Sequence, residues 1–166
     1  ARRELVERLI LAENEVDKKH ALDALLPLQI QDFTEILEAM DGLPVIVRLI
    51  DPPLHEFLPD YTDLSVKVAL ARSANTLEEA DEQLLQAVSR MHEANPMLGL
   101  RGVRLGIMFP GLFGLQVRAI AEATAVRILE KGNPHPEVMV PLVATVAELQ
   151  PIRQEAQGII AEVAAK

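Results

Sequence analysis

Charged side chains surround a short apolar run near the first third of the chain. Arg48 lies inside the run LPVIVRLI at residues 43–50, and Asp51, His55 and Glu56 follow it. An arginine in an apolar run needs a partner, because burying an unpaired charge is costly. Two interpretations stay open at this point. One is a site for phosphate or carboxylate, which a guanidinium group binds bidentately, and the other is a structural ion pair with Asp51 or Glu56.

A second charged group accompanies another apolar run, GVRLGIMF, at residues 102–109. Asn95 and Arg101 precede this run and Arg104 lies within it. If the run is a strand, residues three apart face opposite sides, so only one of the two arginines points into a site with Arg48. Arg48 and one of the pair Arg101 and Arg104 are therefore the main candidates for binding an anion, and the spacing does not decide which of the pair it is. The secondary candidates are Asp51, His55 and Asn95.

Composition excludes several classes of function. The 166 residues carry a net charge of −9 and include no cysteine, which argues against a general nucleic-acid or anionic-membrane binder and excludes thiolate chemistry. No apolar stretch approaches the roughly 20 residues that span a bilayer. No phosphate-binding glycine loop occurs, and no histidine has metal-ligand spacing with another ligand residue. We expect a cytoplasmic protein.

The periodicity of apolar residues predicts the elements that position these side chains. It alternates between helical spacing and short β-branched runs, which gives the order αα-β-α-β-α-β-α and a parallel α/β sheet. Pro27 is expected to break or kink the helical region 15–41, and residues 52–75 to form a long connection. The predicted elements are helices at 2–12 and 15–41, a strand buried on both faces at 43–50, a helix from the capping box at 76–79 to about 94, strands at 102–109 and 137–143, and helices at 113–131 and from 147 onward.

This order fits either a doubly wound sheet or part of a (β/α)8 barrel of the TIM type, and the pattern alone does not distinguish them. In both architectures the functional edge lies at the carboxyl ends of the strands. Three strands are too few for a whole barrel. The chain enters a helix at its first residues and ends inside another helix, as a fragment would, so we expect residues 1–166 to form a single partial domain, a piece of a longer polypeptide.

Two motifs at a characteristic separation identify a family resemblance. The segments RLIDPPLHEF at 48–57 and NPMLGLRGVRLGI at 95–107, together with QVRAIAEA and PEVMVPLV, resemble the phosphoenolpyruvate-binding barrel of the pyruvate, phosphate dikinases almost position by position. Other phosphoenolpyruvate-utilising enzymes share the arginine and N-P-x-x-G-x-R elements but not D-P-P-L-H-E-F. The resemblance implies a partial (β/α)8 barrel with parallel strands, which binds phosphoenolpyruvate or pyruvate with Mg²⁺.

The resemblance also implies roles for the arginines. Arg48 and Arg101 would hold the transferring phosphoryl group, whose charge fixed guanidinium groups stabilise. Arg101 takes this role because it directly follows N-P-M-L-G-x, and Arg104 is a secondary candidate. In the family a phosphohistidine on another domain exchanges this group with the substrate, so that ATP, pyruvate and phosphate interconvert with AMP, phosphoenolpyruvate and pyrophosphate. This sequence departs from the family pattern at Leu100, where G-H-R-G has His, and at Pro110-Gly111, where P-E is usual.

Several parts of the family's active site have no counterpart in these residues. Its metal-binding acids, its substrate-binding Asn and its acid/base Cys belong to later strands, and the phosphohistidine and ATP-binding segments are missing too. We therefore expect either a dikinase piece that is inactive alone or a non-catalytic half-barrel, self-associating or regulatory. Unpaired strand edges favour self-association. Whether the chain itself is an enzyme stays open.

Overall fold

The computed structural model describes residues 2–12, 14–51, 58–90 and 99–166, and these contain seven helices and two strands. The chain forms two compact units, one of Ala1–Asp51 with Arg101–Lys166 and one of Pro52–Leu100. The elements of the first unit are α1 (Arg2–Leu11), α2 (Glu15–Ala39), β1 (Pro44–Arg48), α5 (Val103–Met108), α6 (Leu112–Leu129), β2 (His135–Met139) and α7 (Val146–Ala164). Those of the second unit are α3 (Tyr61–Ser73) and α4 (Glu79–Arg90).

The two strands form a parallel pair, as the sequence predicts. Their register runs from Pro44 opposite His135 to Arg48 opposite Met139. The backbone N–H of Leu49 continues the ladder by donating to the Met139 carbonyl at 3.0 Å. The architecture is therefore mixed α/β with parallel strands, which is consistent with a partial barrel.

The prediction that the first strand is buried on both faces is wrong. Along β1 half-buried and exposed residues alternate, and Ile46 is 60% exposed. The apolar run at 43–50 indicated a strand covered on both sides, but within the described residues the sheet has only two strands. An alternating exposure is what a strand with one covered face shows.

The core of the first unit is centred on α6. The first half of this helix is buried nearly all round, with Phe113, Val117, Ala119 and Ile120 at most 4% exposed. A helix that is apolar on all sides belongs inside a domain, and α6 packs against both α2 and α7. It thereby connects the long helix before the sheet to the helix that follows the sheet.

The predicted strand at residues 102–109 is wrong, because these residues form α5. Gly102 turns the chain with φ +57°, and Val103 donates its N–H to the Pro141 carbonyl at 2.9 Å. Gly106 then lies against the Phe113 ring, so closely that a Cβ would meet a ring carbon at 2.5 Å. A short apolar run cannot be assigned to strand or helix by periodicity alone, and here tertiary packing decides. The predicted element order is corrected accordingly.

Two further expectations differ from the structure. Residues 61–73 form α3 instead of a connection, capped by the Asp60 side chain, which accepts from Thr62 and Asp63. Helix α2 runs through Pro27, so the predicted break at that residue is wrong. A proline removes one backbone hydrogen bond, and packing of α2 against α6 outweighs that loss.

The predicted capping box at residues 76–79 does not start α4. The Thr76 hydroxyl donates to the Ala71 carbonyl at 3.4 Å, and the helix begins at Glu79. A capping box instead starts α7, where Thr145 and Glu148 cap each other reciprocally. Within the second unit, the ion pairs Lys67–Asp81 and Arg72–Glu82 connect α3 to α4.

None of the helices in the described ranges combines the length and the apolar composition needed to cross a membrane.

Candidate functional site

The carboxyl ends of the two strands bring the main candidate residues together. Asp51 follows β1, Pro141 and Leu142 follow β2, and Arg101 and Gly102 lead into α5. The hydrogen bond from Val103 to Pro141 connects the start of α5 to the end of β2. Since parallel strands present their carboxyl ends at one edge of a sheet, this is the edge where both barrel and doubly wound folds bind ligands.

Asp51 joins the two arginines that the sequence singled out. Its Oδ2 accepts a hydrogen bond from Nη2 of Arg101 at 3.0 Å and another from Nη2 of Arg48. Nε of Arg101 donates to Oδ1 of Asp51 at 3.2 Å and to its backbone carbonyl at 3.1 Å. One carboxylate oxygen thus bonds to both guanidinium groups, so their Nη2 atoms lie within about 6 Å of each other.

The three side chains differ in their exposure. The Asp51 side chain is 6% exposed, that of Arg101 21% and that of Arg48 56%. A carboxylate buried to this degree needs compensation for its lost hydration, and two guanidinium groups supply it. The cluster carries one net positive charge. It therefore remains attractive to an anion, and Arg48 is the arginine that solvent reaches most easily.

The structure contains the Arg48–Asp51 ion pair that was one of the two interpretations of Arg48. This pair does not use all of the arginine's donors, because only Nη2 of Arg48 bonds to Asp51. A guanidinium group has five N–H donors. The ion pair and an anion site are therefore compatible at the same side chain.

Gly102 is required next to this cluster. Its φ of +57° is unfavourable for other residues, and a Cβ there would lie 2.8 Å from the Pro141 carbonyl oxygen and 3.0 Å from Oδ1 of Asp51. The glycine lets the backbone carrying Arg101 approach the Asp51 carboxylate. The R-G pair of the sequence motif thus combines a charged group with the close approach that positions it.

Gln116 supports the same edge and was not predicted. Gln116 is 8% exposed. Its Oε1 accepts a hydrogen bond from the backbone N–H of Ile50 at 2.8 Å, which fixes the chain just before Asp51. The sequence did contain a signal. Gln116 is an uncharged polar residue inside the apolar stretch LFGLQV, where a buried amide needs a specific partner.

Arg104 lies on α5 instead of a strand, so the argument that it faces away from Arg101 across a sheet does not apply. Its charge contributes, as the smallest cause, to lowering the pKa of Glu148. The main causes are hydrogen bonds from the backbone N–H groups of Ala144 and Thr145, both at 2.9 Å. The charge of Arg104 is thus only a minor influence on Glu148, which lies in the first turn of α7.

The remaining candidates, His55 and Asn95, lie outside the described residues, as does Glu56. Within the described ranges no group of three or more acidic or histidine side chains is placed to hold a metal ion.

Comparison with known proteins identifies the family. A family model described as "PEP-utilising enzyme, PEP-binding domain", where PEP is phosphoenolpyruvate, matches residues 5–166. The chain belongs to this family. The resemblance inferred from RLIDPPLHEF and NPMLGLRGVRLGI is thereby confirmed.

Individual relatives of the PEP-binding family agree with this assignment. The chain is 46% identical over 160 residues to "Pyruvate, phosphate dikinase 2" of Oryza sativa subsp. japonica. The aligned region covers 96% of this chain and 17% of the rice protein. It is 44% identical over 160 residues to "Pyruvate, phosphate dikinase" of Rhizobium meliloti (strain 1021), with coverage of 96% and 17%. For the Entamoeba histolytica dikinase the identity is 42% over 152 residues, with coverage of 90% and 17%. The chain spans about a sixth of the length of these relatives.

Proposed function

We propose that this chain contributes the phosphate-binding arginines of a phosphoenolpyruvate/pyruvate site, with Arg48 and Arg101 holding the phosphoryl group. The observation that carries the proposal is the shared Asp51 oxygen, which brings both guanidinium groups to the carboxyl edge of the parallel strands. Phosphoryl transfer needs positive groups held in fixed positions around the equatorial oxygens. Two arginines that a buried carboxylate holds satisfy this requirement.

The reaction we propose for the whole protein is that of a pyruvate, phosphate dikinase. ATP, pyruvate and phosphate would interconvert with AMP, phosphoenolpyruvate and pyrophosphate through a phosphohistidine. The family resemblance places an acid/base cysteine in this reaction, and the chain has no cysteine. We therefore propose that these residues bind the phosphoryl group and do not complete the reaction alone. A coupled assay for pyruvate formation from phosphoenolpyruvate, AMP and pyrophosphate checks this.

Two finer assignments remain proposals. The dikinase reaction requires Mg²⁺ in the family, and the resemblance assigns the residues that bind it to later strands of the barrel. The cytoplasm is the compartment we propose, although some relatives are named chloroplastic. Localising the full-length protein by fluorescence would decide the compartment.

The direct test is calorimetric titration of the chain with inorganic phosphate and with phosphoenolpyruvate. Charge-assisted hydrogen bonds contribute about 1.5–3 kcal/mol, so Arg101→Ala should weaken binding of either ligand by about ten- to a hundredfold. Arg118→Ala is the matched control, because Arg118 also pairs with a carboxylate, that of Glu162 at 2.6 Å, on the α6–α7 surface. Equal affinity of the Arg101 variant and the wild type would refute the proposed role.

Self-association is a second proposal, favoured by the exposed sheet. Ile46 on β1 and Met139 on β2 are 60% and 45% exposed, and an apolar groove of about 320 Å³ runs between α6, β2 and α7. Apolar strands with open edges tend to pair with further strands. A half-barrel that associates with a second copy would cover this surface without any catalytic role.

A further inference from the structure

Asp51 is the most buried member of the arginine cluster and makes the greatest number of contacts within it. Its carboxylate binds Nη2 of Arg48 and both Nε and Nη2 of Arg101, and its backbone carbonyl accepts Nε of Arg101 as well. Only 6% of its side chain is exposed. Asp51 is therefore shielded from an incoming ligand, while both arginines keep part of their surface in solvent.

The pattern of donors indicates what the arginines retain for a ligand. Among the described residues, no hydrogen bond uses Nη1 of Arg48 or Nη1 of Arg101. A guanidinium group offers its N–H donors along fixed edges, so the edge that faces Asp51 and the edge that carries Nη1 can serve different partners. The Asp51 carboxylate thus accepts from Nη2 of Arg48 and from Nε and Nη2 of Arg101. The N–H groups of Nη1, called the outer N–H groups below, are left for another partner.

We infer that Asp51 is a positioning residue, which holds Arg48 and Arg101 so that their outer N–H groups converge on one phosphoryl group. The inference rests on the proposed function, since it assumes that the two arginines bind that group. Asp51 itself does not contact the ligand in this account. Its contribution is to fix two long side chains that would otherwise sample many rotamers before each binding event.

Simple electrostatics predicts the opposite effect of removing this carboxylate. With Asp51 charged, the cluster carries a net charge of +1, and neutralising Asp51 raises that charge to +2. If charge alone governed affinity, Asp51→Asn would bind phosphate more tightly. If Asp51 positions the arginines, the same substitution weakens binding, because the amide places N–H donors or only one acceptor where both guanidinium groups need acceptors. The two accounts differ in sign.

The experiment compares Asp51→Asn with Glu162→Gln by calorimetric titration of inorganic phosphate and phosphoenolpyruvate. Glu162→Gln removes the same charge from another arginine–carboxylate pair, Arg118–Glu162. We expect Asp51→Asn to lose at least about tenfold in affinity and Glu162→Gln to change less than about twofold. Unchanged or tighter binding by Asp51→Asn overturns the inference. If that variant fails to fold, Asp51→Glu retains the charge, moves it by one methylene and should weaken phosphate binding in the same direction.

A second readout works without ligand and separates this inference from the proposed function. The Nε–H groups of arginine side chains give resolved signals in ¹⁵N NMR spectra, and their heteronuclear NOE reports order. We expect Arg48 and Arg101 to be ordered in the wild type and to become mobile in Asp51→Asn, while Arg118 stays unchanged in that variant. If the wild type binds no phosphate, the proposed function fails, and these NOE values still decide the role of Asp51. Arginines that stay equally ordered in Asp51→Asn overturn the inference.

Discussion

At the scale of single residues, close contacts around Asp51 leave little room for substitution. The carboxylate bonds to both arginines, and a Cβ at Gly102 would lie 3.0 Å from its Oδ1. The Gln116 amide holds the backbone of Ile50 just before it. Each contact depends on a different chemical property: charge, the absence of a side chain, and a buried amide acceptor. The edge of the sheet is thus a set of mutually dependent contacts.

Gly102→Ala tests the closest of these contacts. An alanine Cβ would lie 2.8 Å from the Pro141 oxygen, in addition to the cost of a positive φ. The backbone conformation of Gly102, with φ +57° and ψ −135°, alone costs about 1–3 kcal/mol for a residue with a side chain, and the clash should add to it. Gly42→Ala is the matched control, because Gly42 also has positive φ, at +74°, but a Cβ there meets nothing within 4 Å. Urea denaturation should therefore show a larger loss of stability for Gly102→Ala than for Gly42→Ala, and equal losses would contradict the packing argument.

The sequence identified the two arginines but not how they meet. Arg48 was conspicuous because a charge inside an apolar run needs a partner, and Arg101 because of its motif. That one Asp51 oxygen accepts from both could not be deduced, because the pairing joins residues 50 positions apart. Gln116 was overlooked for the same reason, since its partner Ile50 lies 66 positions away. Long-range partners depend on the fold, which single-sequence patterns describe only coarsely.

At the scale of elements, the ends of helices carry much of the local specificity. The Thr145 hydroxyl caps Glu148, and the Glu148 carboxylate accepts the N–H groups of Ala144 and Thr145, which orders the turn between β2 and α7. These hydrogen bonds hold the pKa of Glu148 below its ordinary value of 4.5. The cap stabilises the start of the helix that follows the sheet.

This capping box predicts a pH dependence at the start of α7. A carboxyl group with a lowered pKa in the folded state contributes stability above its unfolded pKa, and that contribution is lost as pH falls through the folded pKa. Amide exchange in the first turn of α7 should therefore accelerate as pH falls below about 4.5, beyond the intrinsic pH effect on exchange. In Glu148→Gln the extra acceleration should be absent. The same extra acceleration in both proteins would contradict the assignment.

Thr145→Ala tests the other half of the box. Loss of a threonine N-cap costs about 1 kcal/mol, so we expect a decrease of this size in the stability of α7. Thr76→Ala is the control, because Thr76 belongs to a similar sequence motif but does not cap its helix. Its effect on the start of α4 should be smaller, as measured by amide exchange of each first turn. Equal effects would indicate that the motif alone, without the observed geometry, determines capping.

Periodicity located most elements but misassigned one next to the site. The strand β1 and the helices α6 and α7 lie close to their predicted positions, whereas β2 at His135–Met139 begins two residues before and ends four residues before the strand predicted at 137–143. The run at 102–109 has the composition of a strand, yet contacts with Phe113 and Pro141 make it a helix. Helix α3 was missed because only Leu64 and Val68 are buried, while the exposed apolar residues Val66 and Leu70 obscure the helical spacing. In both cases tertiary contacts outweighed local composition.

At the scale of the whole molecule, the exposed sheet governs the expected behaviour in solution. The pair of strands leaves apolar residues exposed, and the chain spans only about a sixth of the length of its dikinase relatives. The family assignment follows from the match over residues 5–166, whereas activity, metal and partners remain proposals. The sequence similarity thus establishes the family of the chain, whereas the activity of this chain alone is a proposal.

Self-association through the sheet is testable by sedimentation velocity over a range of concentrations. We expect species larger than the 18.3 kDa monomer, and Ile46→Lys should shift the distribution to the monomer, because a charge on an exposed strand opposes pairing. Val146→Lys is the control, since Val146 is an exposed residue on α7 and is 80% accessible. A wild-type protein that sediments only as a monomer would contradict this expectation.

The central claim is that Arg48 and Arg101 hold one phosphoryl group together. Calorimetric titration of phosphoenolpyruvate into the wild type, Arg48→Ala, Arg101→Ala and the double variant tests it most directly. If both arginines bind the same group, each single substitution removes most of the binding, by about tenfold or more, and the double variant loses little beyond the more affected single variant. Single variants that bind as the wild type does, or losses that simply multiply in the double variant, would contradict the claim.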